Sequence, residues 1–266
     1  RNSVKKFALD NNLAFFNPKK QSGFLRTLMI RNSNQGEFMV LIQFYRENKE
    51  QREAILSHLK DKFELTSLLY CINSKANDTL YDQEIVLYDG SEFITEVMEE
   101  LKFRVNAKSF FQTNIDQAYE LYKITREFAG LKGHELVYDL YTGTGTIALF
   151  IARKCKKVVG IESVPEAVAV AKKNAEINGI KNTLFEVGDM REVFNLDFIN
   201  RHGVADLVIT DPPRNGMHPD VINHLLILAP NKIVYISCNN ATQARDLNLM
   251  KEKYKLSKCL ALDMFP

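Results

Sequence analysis

From about residue 115 onward the chain alternates short apolar runs, loops and amphipathic stretches, and that rhythm narrows the architecture it can adopt. Residues 135–140, 157–161, 183–187, 205–210 and 232–236 read as five strands. Helical stretches separate them, most clearly residues 164–178, where Ala167, Val168, Ala171 and Ala175 share one face. Strand–loop–helix alternation of this kind predicts a mostly parallel, doubly wound sheet. Ligands of such sheets bind beyond the carboxyl ends of the strands. The residues with most chemical potential in this sequence all fall there.

The first hundred residues have a different character. Runs 25–30 and 38–44 flank Asn32-Ser33-Asn34-Gln35-Gly36, a hairpin connection. Residues 46–63 carry apolar positions at helical spacing (Ile55, Leu59, Phe63), and a strand follows over 67–72. Runs 84–88 and 92–97 predict a second hairpin around Asp89-Gly90. This half reads as a smaller α+β domain without a chemical motif of its own. The boundary falls near residues 100–110, giving domains 1–105 and 106–266.

A hydrophobic content of 45% supports a core in each domain. Cys71, Cys155, Cys238 and Cys259 are too scattered for a zinc site or a disulfide framework, so no metal is expected and the thiols read as reduced, as in the cytoplasm. No apolar run approaches the ~18 residues of a membrane span. The net charge of +2 is too small to point to nucleic acid by itself. Its distribution is uneven: residues 1–35 hold seven basic side chains (Arg1, Lys5, Lys6, Lys19, Lys20, Arg26, Arg31) against Asp10 alone, interleaved with Phe7, Phe15, Phe16 and Phe24. That pattern fits either an RNA-facing surface or a solvated basic face over core phenylalanines. His134, His202, His218 and His224 have no partner spacing and read as surface or packing residues.

The first strand of the second domain runs into Gly143-Thr144-Gly145, a turn that lets backbone approach a ligand closely. Glu162 closes the next strand, where an acid accepts hydrogen bonds from both hydroxyls of a ribose. Such a turn fits NAD or S-adenosylmethionine. Two features favour the second: Ala148 stands where the dinucleotide fingerprint requires a third glycine, and the sheet continues to Asp211-Pro212-Pro213, a rigid polar loop of the kind methyltransferases use against a planar base. Asp189 follows the third strand, at the adenine end. Taken singly, Glu162 fits a surface acid, Asp189 a helix cap and Asp211 a turn residue; together, at the ends of successive strands, they predict a methyltransferase. Cys238 ends the fifth strand just before a helical stretch, where amide dipoles favour a thiolate.

With these residues assembled, the chain resembles the RNA 5-methyluridine (uracil-C5) methyltransferases of transfer RNA and large-subunit ribosomal RNA. The resemblance runs from about Gly23-Phe24-Leu25-Arg26 to the C-terminus. It is sharpest at Ser109-Phe110-Phe111-Gln112-Thr113-Asn114, at Asp139 through Gly145, at Asp211-Pro212-Pro213-Arg214-Asn215-Gly216 and at Tyr235-Ile236-Ser237-Cys238-Asn239. It implies a class I S-adenosylmethionine-dependent methyltransferase domain, a Rossmann-like doubly wound sheet, preceded by a smaller α+β domain. By position it implies cofactor contacts at Gln112, Tyr141, Gly143, Gly145, Thr146, Glu162, Asp189 and Asp211, with Thr146 standing where many relatives have asparagine. Cys238 takes the place of the nucleophile and Arg214 of a substrate contact. The implied reaction methylates uracil C5 in RNA through a covalent bond from the cysteine to C6, with ribosomal RNA expected ahead of transfer RNA, in a cytoplasmic monomer.

The resemblance also implies a β-barrel domain and, in many members, an iron–sulfur segment before the matched region. After it come a motif with a glutamate general base and a last strand. None of these falls within residues 1–266, so the chain is expected to be the core of a longer protein. Two other readings remain: an amino-methyltransferase using the Asp-Pro-Pro loop, although Arg214 stands where such loops carry an aromatic ring, and an RNA-binding fragment without catalysis.

Overall fold

Val4 and Ala8, one helical turn apart, point inward from α1 (Asn2–Asp10), while Lys5 and Lys6 stand on its exposed side. That amphipathic spacing explains a helix which charge alone does not announce. The next elements are β1 (Leu25–Asn32), β2 (Phe38–Phe44), α2 (Lys49–Lys62), β3 (Ser67–Ile72) and β4 (Val86–Gly90). The strands form one sheet in the order β1-β2-β3-β4. Asn48 starts α2 by accepting the Gln51 N–H, and Ile55, Leu56 and Leu59 pack from it onto Val40, Ile42, Phe44 and Leu68. Of the four N-terminal phenylalanines, Phe24 is fully buried and stacks on Phe44 at 4.7 Å, and only Phe15 is exposed. The aromatic–basic interleaving is thus largely a core seen from outside.

β5 (Phe93–Met98) and β6 (Leu101–Asn106) form a separate two-stranded sheet. The expected hairpin of 84–88 with 92–97 does not form. β4 pairs antiparallel with β3 instead, from Ser67↔Gly90 to Tyr70↔Val86. Gly90 gives the reason. Its φ is 83°, and a Cβ there would come within 2.3 Å of the Thr66 carbonyl, to which the Ser91 N–H also donates. The end of β4 is therefore fastened to the start of β3. β5 turns at Glu99 (φ 53°) into β6, a strand not expected from the sequence.

The computed structural model describes residues 1–266. They divide into two units, Arg1–Val97 with Arg104–Ser109, and Met98–Phe103 with Phe110–Pro266. The second unit contains α3 (Ile115–Ala129), β7 (Leu136–Leu140), α4 (Thr146–Ala152), β8 (Lys157–Glu162), α5 (Pro165–Ile177), β9 (Thr183–Val187), α6 (Met190–Val193) and α7 (Leu196–His202). It continues with β10 (Leu207–Thr210), α8 (Pro219–Leu228), β11 (Lys232–Tyr235) and α9 (Asn240–Met250). Its five strands are all parallel, in the order β11-β10-β7-β8-β9. The doubly wound α/β sheet anticipated from the alternation is present.

Side-chain alternation sorts the helices onto the two faces of this sheet. Val137, Val158 and Val234 meet α3, α4 and α5 through Ala118, Leu149, Val168 and Ala171. Tyr138, Val159 and Val208 meet the opposite layer through Phe194, Phe198, Val221, Leu225 and Met250. α6 and α7 are four and seven residues long, too short to persist by hydrogen bonding alone. Fully buried Phe194 and Phe198, packed edge-on to Tyr138, hold them down, each worth about 2 kcal/mol of transfer free energy. His202, read as a surface or packing residue, is half-buried against Phe198 with Nε2 2.5 Å from Glu186 Oε1.

Gly145 closes the turn between β7 and α4 at φ 78°, and a Cβ there would lie 2.9 Å from the Ala171 Cβ and 3.0 Å from Phe185. Helix α5 can approach the turn only because this residue is glycine. Gly145→Ala should destabilise the protein by about 2 kcal/mol, read as a lower urea midpoint at unchanged slope; an unchanged midpoint would contradict this packing.

Candidate active site

Because the five strands are parallel, their carboxyl ends lie along one edge of the sheet, about 4.8 Å apart. Read in spatial order, the loops carry Cys238 after β11, Asp211 after β10, Gly143 and Gly145 after β7, Glu162 at the end of β8 and Asp189 after β9. The chain reverses its winding between β7 and β10, the place where an open sheet of this kind leaves a crevice. Two cavities of about 290 and 280 Å³ lie elsewhere. Leu28, Phe38 and Phe63 line part of the first, and Glu99, Arg126 and Phe150 part of the second. The candidate site is the row of loops.

The turn after β7 is drawn tight by its own polar groups. Tyr141 has φ 64°, uncommon for a residue with a side chain. The Gly143 N–H donates to Glu162 Oε2 at 3.0 Å, while Glu162 Oε1 accepts from Ser163 Oγ and the Val164 N–H. Glu162 thereby ties the glycine turn to the start of α5 and still has acceptor capacity on Oε2. A Cβ on Gly143 would meet nothing within 4 Å, so the α-carbon faces open space. Thr146 begins α4 with its hydroxyl 3.3 Å from Thr144 Oγ1.

Behind the turn stands Asp139, almost wholly buried. Its Oδ2 accepts from Thr142 Oγ1 at 2.5 Å, and its Oδ1 has no partner. Burial, reinforced by the Asp211 and Glu162 carboxylates and opposed by the Thr142 hydroxyl, lifts Asp139 to about 7. Burial also lifts Asp211 to about 6, and its carboxyl takes no hydrogen bond or ion pair from the chain.

Asp189 caps α6 through the Arg191 N–H at 2.9 Å and is gripped by the Arg191 guanidinium at 2.9 and 3.0 Å. Those bonds hold its carboxyl down at about 2. The helix-cap reading of this residue therefore describes its local role, with Oδ2 carrying a single hydrogen bond. Gln112 lies two residues before Asn114, the cap of α3, and its amide makes no hydrogen bond within the chain. The Arg214 guanidinium is exposed and without a partner. Its backbone carbonyl, by contrast, accepts from Asn239 Nδ2 and Thr242 Oγ1.

Cys238 is exposed, one residue before Asn239, the cap of α9. Cys71 and Cys155 are buried, and burial pushes each thiol up to about 11, so neither forms a thiolate at neutral pH. Cys259 is exposed but lies beyond α9, away from any strand end.

Two residues not singled out from the sequence belong to this region. Tyr122 on α3 is buried, and after burial itself the Asp211 and Asp139 carboxylates are what raise its hydroxyl above the ordinary phenol range. Asp246 on α9 is fully buried and receives the Met217 N–H and the Tyr235 hydroxyl. Its signal was available: Thr242, Asp246 and Met250 recur at helical spacing, and a carboxylate on such a stripe demands partners.

A doubly wound sheet with this row of loops defines the S-adenosylmethionine-dependent methyltransferase fold. The family model described as tRNA (Uracil-5-)-methyltransferase matches residues 20–266, and the chain belongs to that family. It is 56% identical over 255 residues to an uncharacterized RNA methyltransferase of Porphyromonas gingivalis, covering 95% of this chain and 55% of that protein. It is 52% identical over 270 residues to one of Bacteroides thetaiotaomicron, covering 100% and 60%. Among solved structures it resembles the tRNA (uracil-54, C5)-methyltransferase of Pyrococcus abyssi in complex with S-adenosyl-L-homocysteine. That match has a TM-score of 0.84 and 33% identity over 100% of this chain and 62% of the other. The chain thus spans somewhat over half the length of the curated relatives it matches.

Asp139 supplies a pH test of the buried carboxyl. Its folded pKa lies above its unfolded one, so the stabilisation from the neutral form is complete below about pH 4 and is lost as pH rises through 7. Melting temperature should therefore fall in the wild type relative to Asp139→Asn between pH 5 and 8. Parallel curves would mean the carboxyl is ionised throughout.

Proposed function

We propose that this protein methylates uracil C5 in RNA with S-adenosylmethionine, using Cys238 as a covalent nucleophile. The observation that carries the reading is the order of loops. An exposed thiol stands at one end of the row, the ribose-type acid Glu162 towards the other, and the partner-free Asp211 between the thiol and the glycine turn. Family membership supports the reaction class.

The residues of the row fit the cofactor. The open space at Gly143 and the spare acceptor of Glu162 suit a ribose, and the unpartnered Asp139 Oδ1 suits the cationic amino group of the methionine end. Asp189 retains acceptor capacity for the adenine end, while Tyr141, Gly145, Thr146, Asp211 and Gln112 complete the proposed contacts. When bound, S-adenosylmethionine supplies an electrophilic methyl group and leaves as the neutral thioether.

Uracil C5 is a poor nucleophile until the 5,6 double bond is polarised. Addition of the Cys238 thiolate at C6 moves that electron pair toward O4 and makes C5 nucleophilic. Once C5 carries the methyl group, loss of its proton to a base re-forms the double bond and expels the thiolate, so the cysteine is regenerated. Arg214 offers a free guanidinium to a phosphate or to the developing oxyanion. The uridine must leave its stack to reach the thiol. We read the first unit, residues 1–105 in the sequence-based division, as RNA-facing. Lys5, Lys6, Lys19 and Lys20 are exposed there, and the Arg26 guanidinium lies 4.6 Å over the Phe16 ring.

The test uses the native full-length protein with 5-fluorouridine-substituted bulk RNA and S-adenosylmethionine. Fluorine at C5 does not leave as a proton does, so the enzyme should be trapped on RNA through Cys238. Cys238→Ala should abolish the adduct and lower methyl transfer to unmodified RNA by roughly a thousandfold or more. Sequencing the trapped RNA separates ribosomal from transfer RNA targets. Methyl transfer that survives Cys238→Ala would favour the amino-methyltransferase reading, and salt-sensitive RNA binding without transfer the binding-module reading.

A further inference from the structure

Asp246 takes part in no step of the reaction above, yet it is among the most completely enclosed charged groups of the second unit. A buried carboxylate is tolerated only with full hydrogen bonding, and Asp246 has it. Oδ2 accepts the Met217 N–H at 2.8 Å and the Tyr235 hydroxyl at 2.6 Å. Oδ1 accepts from Arg245 Nε at 2.9 Å and Nη2 at 2.7 Å. Three elements thereby meet on one side chain: the loop after β10 through Met217, strand β11 through Tyr235, and helix α9 itself.

The loop after β10 is drawn in closely. Gly216 has φ 77°, and a Cβ there would lie 2.6 Å from Asp246 Oδ2 and 2.7 Å from Arg245 Nη2. Arg245 Nη2 also donates to the Asn215 carbonyl at 2.9 Å. A second attachment starts beside the thiol: Asn239, which follows Cys238, donates to the Arg214 carbonyl at 3.0 Å, and Thr242 Oγ1 donates to the same oxygen at 3.1 Å. The side chains of Asp211 and Arg214 have no partners of their own. The position of Arg214 relative to Cys238 therefore depends on this backbone fastening, and Asp211 is held both by it and by its own N–H bond to the Leu140 carbonyl.

We propose that Asp246 is a positioning residue, which clamps the Asp211–Met217 loop to the strand and helix flanking Cys238 so that thiol, carboxyl and guanidinium are preset around one pyrimidine ring. The proposal rests on the reading of Cys238 as the nucleophile. It places the effect of Asp246 on the covalent step, where an error of about 1 Å costs about a hundredfold. Cofactor affinity should fall far less than the covalent rate, because Asp211 is the one proposed cofactor contact on the clamped loop, while Glu162 and the glycine turn are carried by β8 and β7.

The test compares Asp246→Asn, Tyr235→Phe and the double variant in the native full-length protein. Three quantities are read: the melting transition, the affinity for S-adenosylhomocysteine, and the single-turnover rate of adduct formation on 5-fluorouridine RNA at saturating enzyme. Asp246→Asn should slow adduct formation about 10- to 100-fold, with a much smaller loss of cofactor affinity. Tyr235→Phe, which removes only a hydroxyl, should slow it about three- to tenfold. The double variant should be no slower than Asp246→Asn, since the hydroxyl acts through the carboxylate. A folded Asp246→Asn protein with the wild-type rate, or one whose rate loss matches its loss of cofactor affinity, overturns the proposal; if that variant does not fold, Tyr235→Phe at the wild-type rate does so. No Cys238-dependent adduct in the wild type would remove the nucleophile reading and this proposal together. A normal wild-type adduct with unslowed variants would remove the clamp alone.

Discussion

Strand β10 is four residues long and hydrogen-bonds in parallel to two partners at once. Leu207 to Thr210 pair with Val137 to Leu140 on one side and with Lys232 to Tyr235 on the other. Three consecutive loops leave the same edge of the sheet as a result. The registers end together, with Leu140, Thr210 and Tyr235 opposite one another, so Tyr141, Asp211 and Ile236 begin the loops at one level. A shift of one residue in either ladder would exchange the side chains that face the two helix layers. Proximity of the thiol loop, the acid loop and the glycine turn follows from this pairing.

The electrostatics of the row grade from one end to the other. Burial raises the Asp139 and Asp211 carboxyls to about 7 and about 6, and at Asp139 the Asp211 and Glu162 carboxylates add to the shift. Asp189, paired with Arg191 near solvent, is ionised at any ordinary pH. A cationic ligand laid along the row would meet its strongest unmet demand at the buried Asp139 Oδ1, where its charge would offset the penalty that keeps the carboxyl protonated. Asp246, equally buried, has its demand met by the chain itself. The first is suited to receive a ligand and the second to hold a loop.

Much of this was legible in the sequence, for reasons that differ residue by residue. The five strands were readable because each is an apolar run bounded by loop residues, and parallel strands buried on both faces leave that pattern. The methyltransferase fold was readable because glycine turn, acid, Asp-Pro-Pro and cysteine each close a successive strand. The pairing of β4 was not readable: Asp89-Gly90 is good turn chemistry, and only the approach of Gly90 to the Thr66 carbonyl diverts it. Helix α1 was not readable because only Val4 and Ala8 mark its buried face, and β6 because the Glu99 turn lacks a glycine. Asp246 looked like one polar residue among several on a helix until burial exposed its four hydrogen bonds.

The proposed reaction sends the methyl group to C5 of a uridine activated at C6. Release of tritium from RNA labelled at uridine C5 measures this directly, since the C5 hydrogen is lost only if that carbon reacts. One tritium should be released for each methyl group incorporated, with both signals lost in Cys238→Ala. Methyl incorporation without tritium release would put the reaction at another atom and contradict the claim.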